Sequence, residues 1–465
     1  DPDQSIYGWR GADINNILEF ERDFPEAKVI RLEQNYRSTK RILTLANHVI
    51  AANRLRKEKN LWTDNPEGEC TQLWQAADGR EEAEHIAARI AELHAGGRPC
   101  GDMAVFYRVN ALSRQIEDAL RRAHIPYRIA RGVEFYNRKE IKDAVAYLRV
   151  LVNPADEVSL LRIINMPPRG IGKTTINRLL AGARRAGRTL LDTLYHQAAK
   201  ERADRAARLT RFCQLLDLLR PLVDGPVREL LVRTLHESGL QAHYHGEDVR
   251  EQEAWENLQE LISSAAEFDQ HHPDETLVDF LAQISLVSDT DVLTEDTGAV
   301  TLMTLHAAKG LEFPAVFIAA LEEGIVPHAR VEDNEADIEE ERRLLFVGLT
   351  RARERLFLSL AAKRMTQGRI QVTTPSRFLS RLPEDVVEVG IQQIPEAQAR
   401  HLESDRFESW EEGELVRHPK YGLGRVLWID HGVDSTRAGV RFESHSEKTF
   451  ILEYSDLKRI RCDDE

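Results

Sequence analysis

Four short stretches gather residues able to do chemistry, and their types point to phosphates and bases. Residues 4–13, QSIYGWRGAD, put a Gln, two aromatics, an Arg and two glycines into one turn-rich segment. Aromatics in a loop beside an arginine suit base stacking, because every base offers a π-face; Tyr7 and Trp9 would equally suit a core. Residues 32–42, LEQNYRSTKRI, place Arg37 at a strand-to-helix junction. Its planar fork of donors matches phosphate oxygens, and Tyr36 beside it can stack on an adenine ring. Residues 301–321 hold Thr304, His306, Lys309, Gly310 and Glu312 in a polar loop between two strands of buried character. Such strand ends are where ligands bind in an α/β sheet. Residues 339–361 end a helix at Thr350-Arg351-Ala352-Arg353. An arginine there can reach a transferring phosphate across a cleft, or simply complement the helix dipole.

A fifth stretch imitates a phosphate loop. PPRGIGKTT, residues 167–175, has the Gly-Lys pair, but five residues before Gly172 stands Pro167, and the upstream segment reads as helix. The phosphate loop needs a Gly at that spacing, after a strand and before a helix. The turn holding Gly170 and Gly172 is expected instead to offer backbone N–H groups at a helix N-terminus to a DNA phosphate.

The elements that must position these residues alternate. A helix over 12–24 is followed by a strand in KVIRLEQ and a helix over 38–55 with Ser38 as N-cap. TQLWQA and a helix over 80–95, then DMAVFYR and a helix over 111–123, continue the pattern of a parallel α/β sheet. From about 139 to 290 apolar residues recur at helical spacing with no strand. AVTLMTL, PAVFIAA, a helix over 336–349 and RLFLSLA then return to α/β character. One domain with a large helical insertion is expected, its two halves completing a single sheet. Residues 383–408 read as a polar linker. The short strands ELVRH, GRVLWID, RAGVRF, KTFILE and LKRI read as a small SH3- or Tudor-like barrel.

The chain has 465 residues, a length for two to four domains, with 42% hydrophobic and 30% charged residues. No apolar run is long enough to span a bilayer. A net charge of −14 argues, taken globally, against nucleic acid. Residues 31–59 nevertheless carry eight Lys/Arg against two acids. The acidic stretch 332–341, seven acids in ten residues, reads as a solvated loop and helix start. Cys70, Cys100, Cys213 and Cys462 lie far apart, suggest neither a zinc site nor a disulfide framework, and fit a reducing, cytoplasmic setting. The opening Asp1-Pro2-Asp3-Gln4, with no Met, reads as the middle of something longer.

In order and spacing, QSIYGWRGAD, QNYRS, TLHAAKGLEFPAVF and ERRLLFVGLTRAR resemble motifs III, IV, V and VI of the UvrD/PcrA/Rep branch of superfamily 1 DNA helicases. FYRVNALSRQIEDAL and FYNRKEIKDAVAYL resemble family segments between motifs IV and V, and NMPPRGIGKTT the turn of the family's helical 2B insertion. The resemblance implies the end of RecA-like domain 1A over 1–30, domain 2A over 31–135 and 299–382, domain 2B over 136–298, a linker over 383–408 and a Tudor-like barrel over 409–462. It implies ATP with Mg²⁺, single-stranded DNA and its junctions with duplex as partners, RNA polymerase at the barrel, no membrane, and 3′-to-5′ unwinding in repair and replication.

By matched position the resemblance makes Gln4 and Arg37 γ-phosphate sensors and Arg351 the arginine finger. Tyr36 would stack on adenine and Glu312 bind the ribose. Tyr7 and Trp9 would stack on bases of the tracked strand. Arg10, Thr304, His306 and Lys309 would lie near its backbone or couple it to nucleotide, with Asn110, beside Arg108, a further contact. The family's Walker A loop and Walker B Asp-Glu pair, which hold the magnesium, do not occur in these residues, so the chain alone is expected not to hydrolyse ATP. KRMTQGR also lacks an aromatic that many relatives carry. Two alternatives differ in class: a truncated DNA- or polymerase-binding module without catalysis, and a helicase–nuclease subunit, against which the absence of a terminal acidic cluster counts.

Overall fold

Strands apolar at every position belong in a sheet covered on both faces, and Met103–Tyr107 is such a run. The computed structural model describes residues 1–8, 12–57, 59, 61–130, 132–200, 204–246, 248–289, 298–331, 334–380, 382–391, 415–418, 422–431, 436–442, 447–451 and 458–459. Its main sheet holds β1 (Thr71–Asp78), β2 (Met103–Tyr107), β3 (Tyr127–Ile129), β4 (Val300–Thr304), β5 (Phe313–Ile318), β6 (Ala352–Thr366), β7 (Arg369–Val372) and β8 (Val387–Ile391). Their order is β3-β4-β2-β5-β6-β1-β8, with β7 on β6. Every pair is parallel except the β6–β7 hairpin. Strands from before and after the helical block interleave, so the two halves do complete one sheet.

The short helices α1 (Asn15–Leu18) and α2 (Phe20–Asp23) precede α3 (Lys40–Ile50), and α4 (Gly79–Ala95) and α5 (Ser113–Arg122) follow. Successive side chains of a strand point to opposite faces. Ala104 and Phe106 accordingly join α3 in one core, while Met103, Val105 and Tyr107 join α4 and α5 in the other. Between β3 and β4 the described residues form α6 (Lys139–Val152), α7 (Glu157–Ile163), α8 (Lys173–Ala186), α9 (Leu190–Lys200), α10 (Asp204–Leu219), α11 (Val227–Ser238), α12 (Leu240–Tyr244), α13 (Val249–His271) and α14 (Leu277–Asp289). This block has its own core, around Tyr147, Phe212, Leu258 and Phe280. The helix α15 (Glu335–Leu349) packs with α3 on the first face.

Several expectations are corrected. KVIRLEQ forms no strand: Gln34 makes a single bridge to Trp62, and Ile30 and Leu32 are 71% and 89% exposed. A strand needs a run of paired neighbours, and among the described residues this segment has only that one bridge. The helix expected over 12–24 breaks into α1 and α2. Ser38 does not cap α3, because its hydroxyl donates to the Ala352 carbonyl at 2.6 Å; Thr39 stands at the cap position. The polar stretch from 383 contains β8, which extends the sheet beside β1. The acidic helix start is not simply solvated, since Glu339 and Glu341 are buried.

Residues 393–465 form a separate unit. In it β9 (Leu415–His418), β10 (Gly422–His431), β11 (Thr436–Phe442), β12 (Glu447–Ile451) and β13 (Lys458–Arg459) make an antiparallel sheet ordered β12-β11-β10-β9-β13. The described residues show this antiparallel sheet, with no pairing among them that joins its two edges. No helix among the described residues is long and apolar enough to cross a membrane. Cys70, Cys100 and Cys213 are free thiols, and Cys462 lies outside the described residues.

The loop after β5 is anchored by a buried charge network. Arg364 of β6 donates to Glu322 through Nε (2.9 Å) and Nη2 (2.6 Å), and through Nη2 to Glu82 of α4 (2.6 Å). Glu322 also accepts from the Ala361 amide, and Glu82 from Ala320 N and the Ser359 hydroxyl. Removing one partner strands a buried charge. Glu322→Ala is therefore expected to destabilise the chain by about 3–5 kcal/mol, read as a lower midpoint in urea denaturation. Glu84→Ala, at an exposed ion pair with Arg80, is expected to cost less than ~1 kcal/mol.

Candidate nucleotide and strand site

At the amino ends of β5 and β6 the chain gathers three arginines around one carboxylate. Asn35 sets up the first: its Oδ1 accepts from the amides of Arg37 (2.8 Å) and Ser38 (2.9 Å), a local turn that an Asn favours. The turn is sewn to the end of α15. Arg37 Nη1 donates to the Thr350 carbonyl (3.2 Å), the Ser38 hydroxyl to Ala352, and the Thr39 amide to the Arg353 carbonyl (3.1 Å). Arg37 Nε then pairs with Glu312 Oε2, while Arg353 Nη1 stands 3.8 Å from Glu312 Oε1.

Arg351 lies behind them, 2% exposed. Its donors meet the Val347 carbonyl (3.0 Å), the Leu311 carbonyl (3.3 Å) and the Thr350 hydroxyl (3.1 Å). Among the described residues no carboxylate binds it directly. Burial, joined by repulsion from Arg37, lowers its guanidinium to about 10. The hydrogen bond from Arg37 holds the Glu312 carboxyl below the usual carboxylate range. Tyr36 is 79% exposed beside this cluster, its hydroxyl donating to Gln34 (2.7 Å). Three cations on one anion, with an open aromatic face, suit a polyphosphate carrying a base. Among the described residues no group of three or more His, Cys, Asp or Glu is arranged to hold a metal, and no magnesium-dependent step is assigned to them.

The second cluster lies at the opposite end of the strands, where β2 and β4 end. Tyr7, Asn110, Thr304 and His306 line a cleft of about 880 Å³ together with Arg108, His328, Arg330 and acids of α13 and α15. The Tyr7 hydroxyl donates to the His306 carbonyl (3.3 Å), and the ring packs against the sheet's core. Lys309 stands behind it, its ammonium donating to the Gln4 carbonyl (2.8 Å) and lying 5.1 Å from the Tyr7 ring centroid. The Thr304 hydroxyl accepts from the Ala307 amide (3.3 Å), and the Asn110 carbonyl accepts from Arg138 (3.1 Å). The Gln4 side chain donates to Asp1 (3.1 Å), and among the described residues no hydrogen bond joins it to Arg37 or Arg351. Trp9 and Arg10 lie outside the described residues.

The glycine turn sits in the helical block, apart from both clusters. Gly170 has φ +70°, and a Cβ there would meet Arg208 Nη1 at 2.6 Å. Gly172 stands at the cap of α8 with no side-chain cap. Arg169 knits the turn, donating to the carbonyls of Ile163, Met166 and Ser238.

Residues missed in the sequence join the clusters. Glu341 accepts from Arg108 Nη2 at 2.7 Å and from the His328 amide at 3.2 Å. Glu340 accepts from the Gly8 amide at 3.0 Å, and burial raises its carboxyl above the usual range. The only signal for these was an acidic run on the helix that ends in Arg351. The basic excess over 31–59 is largely spent internally: Arg56 and Lys59 pair with buried Asp3, Lys57 with Glu21 and Arg54 with Glu335.

The chain matches the family model of the UvrD-like helicase C-terminal domain over residues 30–363 and that of the UvrD/REP helicase N-terminal domain over residues 1–25. It is 38% identical over 483 residues to the ATP-dependent DNA helicase PcrA of Staphylococcus epidermidis, covering 99% of this chain and 66% of that protein. It is 40% identical over 476 residues to the protein of the same name from Bacillus subtilis, covering 96% of this chain and 64% of that protein. The chain thus spans just under two thirds of the length of these curated relatives. The parallel sheet with its helical block, the arginine cluster and the two family matches agree: the chain belongs to the UvrD-like helicase family.

Proposed function

We propose that this chain forms the second motor half of an ATP-dependent 3′-to-5′ DNA helicase that acts in repair and replication. The carrying observation is the pairing of Arg37 and Arg353 with Glu312, with Arg351 buried behind them, at one end of the strands of a parallel sheet whose other end bears the cleft of Tyr7, Asn110, Thr304 and His306. Residues 1–30 would end domain 1A, 31–135 and 299–382 form 2A, and 136–298 form 2B. Arg37 and Gln4 would sense the γ-phosphate, Arg351 stabilise its transfer, Tyr36 stack on adenine and Glu312 meet the ribose. Tyr7 and Trp9 would stack on bases, with Arg10, Asn110, Thr304, His306 and Lys309 along the strand. Gly170 and Gly172 would present the first turn of α8 to duplex phosphates.

Exposed Ile30, Leu32 and Tyr36 support a first RecA-like domain packing there, with the nucleotide between the two domains. That domain would supply the Walker loop and the magnesium ligands. The antiparallel sheet of 415–459 supports a Tudor-like module, with RNA polymerase as its partner.

Two outcomes test this. The 465-residue chain should bind single-stranded DNA, with an affinity that falls as salt rises, and release no phosphate from ATP in its presence. DNA-stimulated turnover by this chain alone would refute the division of labour. In a full-length parent that supplies the phosphate loop, Arg351→Ala should lower ATP turnover by ~10³-fold or more and leave single-strand affinity within about twofold. Lost DNA binding with turnover intact would reverse the assignment.

A further inference from the structure

The arginine cluster carries its own anion. Arg37, Arg351 and Arg353 contribute three positive charges, and Glu312 contributes one negative charge between two of them. The Glu312 side chain is 44% exposed, so it can turn into solvent while the loop backbone stays in place. Arg351 is the opposite: it is buried, and its donors rest on two carbonyls and a hydroxyl. Carboxylate and phosphate oxygens compete for the same guanidinium donors. A phosphate that grips Arg37 bidentately through its Nε and Nη2 donors while also meeting Arg351 therefore takes Arg37 from Glu312.

We infer that Glu312 is the internal counter-anion of the phosphate site, occupying Arg37 until an incoming polyphosphate displaces it and lets Arg37 and Arg351 grip one anion together. This rests on the nucleotide reading proposed above. The displaced carboxylate keeps two acceptor oxygens in need of donors, and a sugar hydroxyl supplies one. A ligand with a sugar recovers part of the displacement cost; a bare polyphosphate does not. Glu312 thereby couples recognition of the sugar to release of the phosphate-sensing arginine, and raises the threshold against inorganic polyanions.

The test titrates the 465-residue chain calorimetrically, at low ionic strength, with tripolyphosphate and with ATP. Glu312→Gln is expected to bind tripolyphosphate ~fivefold more tightly than wild type, the scale of one exposed ion pair, and to gain less for ATP. Glu312→Ser removes the same charge and should agree, should the Gln variant disturb the loop. If tripolyphosphate binds wild type, is lost in Arg351→Ala and is not strengthened by either Glu312 variant, the counter-anion inference fails and the nucleotide reading stands. If Arg351→Ala leaves the binding of both probes unchanged, or no form of the chain binds either, both fail together.

Discussion

The crossover from β4 to β5 constrains everything else at the site. It passes over β2, because β2 pairs with both strands. The register sets Thr304 level with Tyr107, and Ala315 level with Met103. Residues 305–312 must therefore return the chain by about six strand positions, roughly 20 Å at ~3.3 Å per residue. Other parallel connections in this sheet use a helix or the whole helical block; this one uses a short turn. It has little slack, so its ends report on each other. Thr304 and His306 lie at the strand cleft and Glu312 at the arginine cluster. The segment is pinned along its length by Leu305 N to Tyr107 O (2.8 Å), Lys309 to Gln4 and Phe313 N to Arg351 O (3.0 Å). Gly348 completes the fit, since a Cβ there would meet Leu305 Cδ2 at 2.5 Å.

Helix α15 runs beside this crossover as a second link. At ~1.5 Å per residue its 15 residues span roughly 22 Å. Its acidic beginning holds the strand cleft, Glu340 on Gly8 and Glu341 on Arg108. Its end delivers Thr350 and Arg351 to the arginine cluster. One stiff rod and one short loop thus join the two clusters at opposite ends of the strands. Two connections resist relative rotation in a way that either alone would not.

What was legible in the sequence follows from range. The strands at 103–107, 300–304 and 313–318 are largely apolar runs whose burial is local in origin, and they stand as expected, as does the mixed strand at 71–78. The types of Arg37, Glu312 and Arg351 announced phosphate chemistry, but their convergence joins positions 275 residues apart. Ser38 looked like a cap because capping is a short-range rule; its acceptor, Ala352, is 314 residues away. Glu341 looked solvated because its partner, Arg108, is 233 residues away. The strand expected at 28–34 had the right side chains, but among the described residues only its end, at Gln34, finds a bridge.

Charge shows the same dependence on scale. A net −14 says nothing about a cleft a few ångströms wide. Around Glu312 the balance is three cations to one anion, while the cations of 54–59 are paired with acids of 1–21 and 335. Arg351 is buried beside that three-to-one balance. A guanidinium there has lost its water and found only dipoles, so an anion reaching it would interact with it more strongly than with a solvated arginine. The cost of keeping it charged is met within the fold by the carbonyls of Val347 and Leu311. Those carbonyls lie at the end of α15 and the end of the crossover, so the two links between the strand ends are also the two elements that hold the buried charge in place.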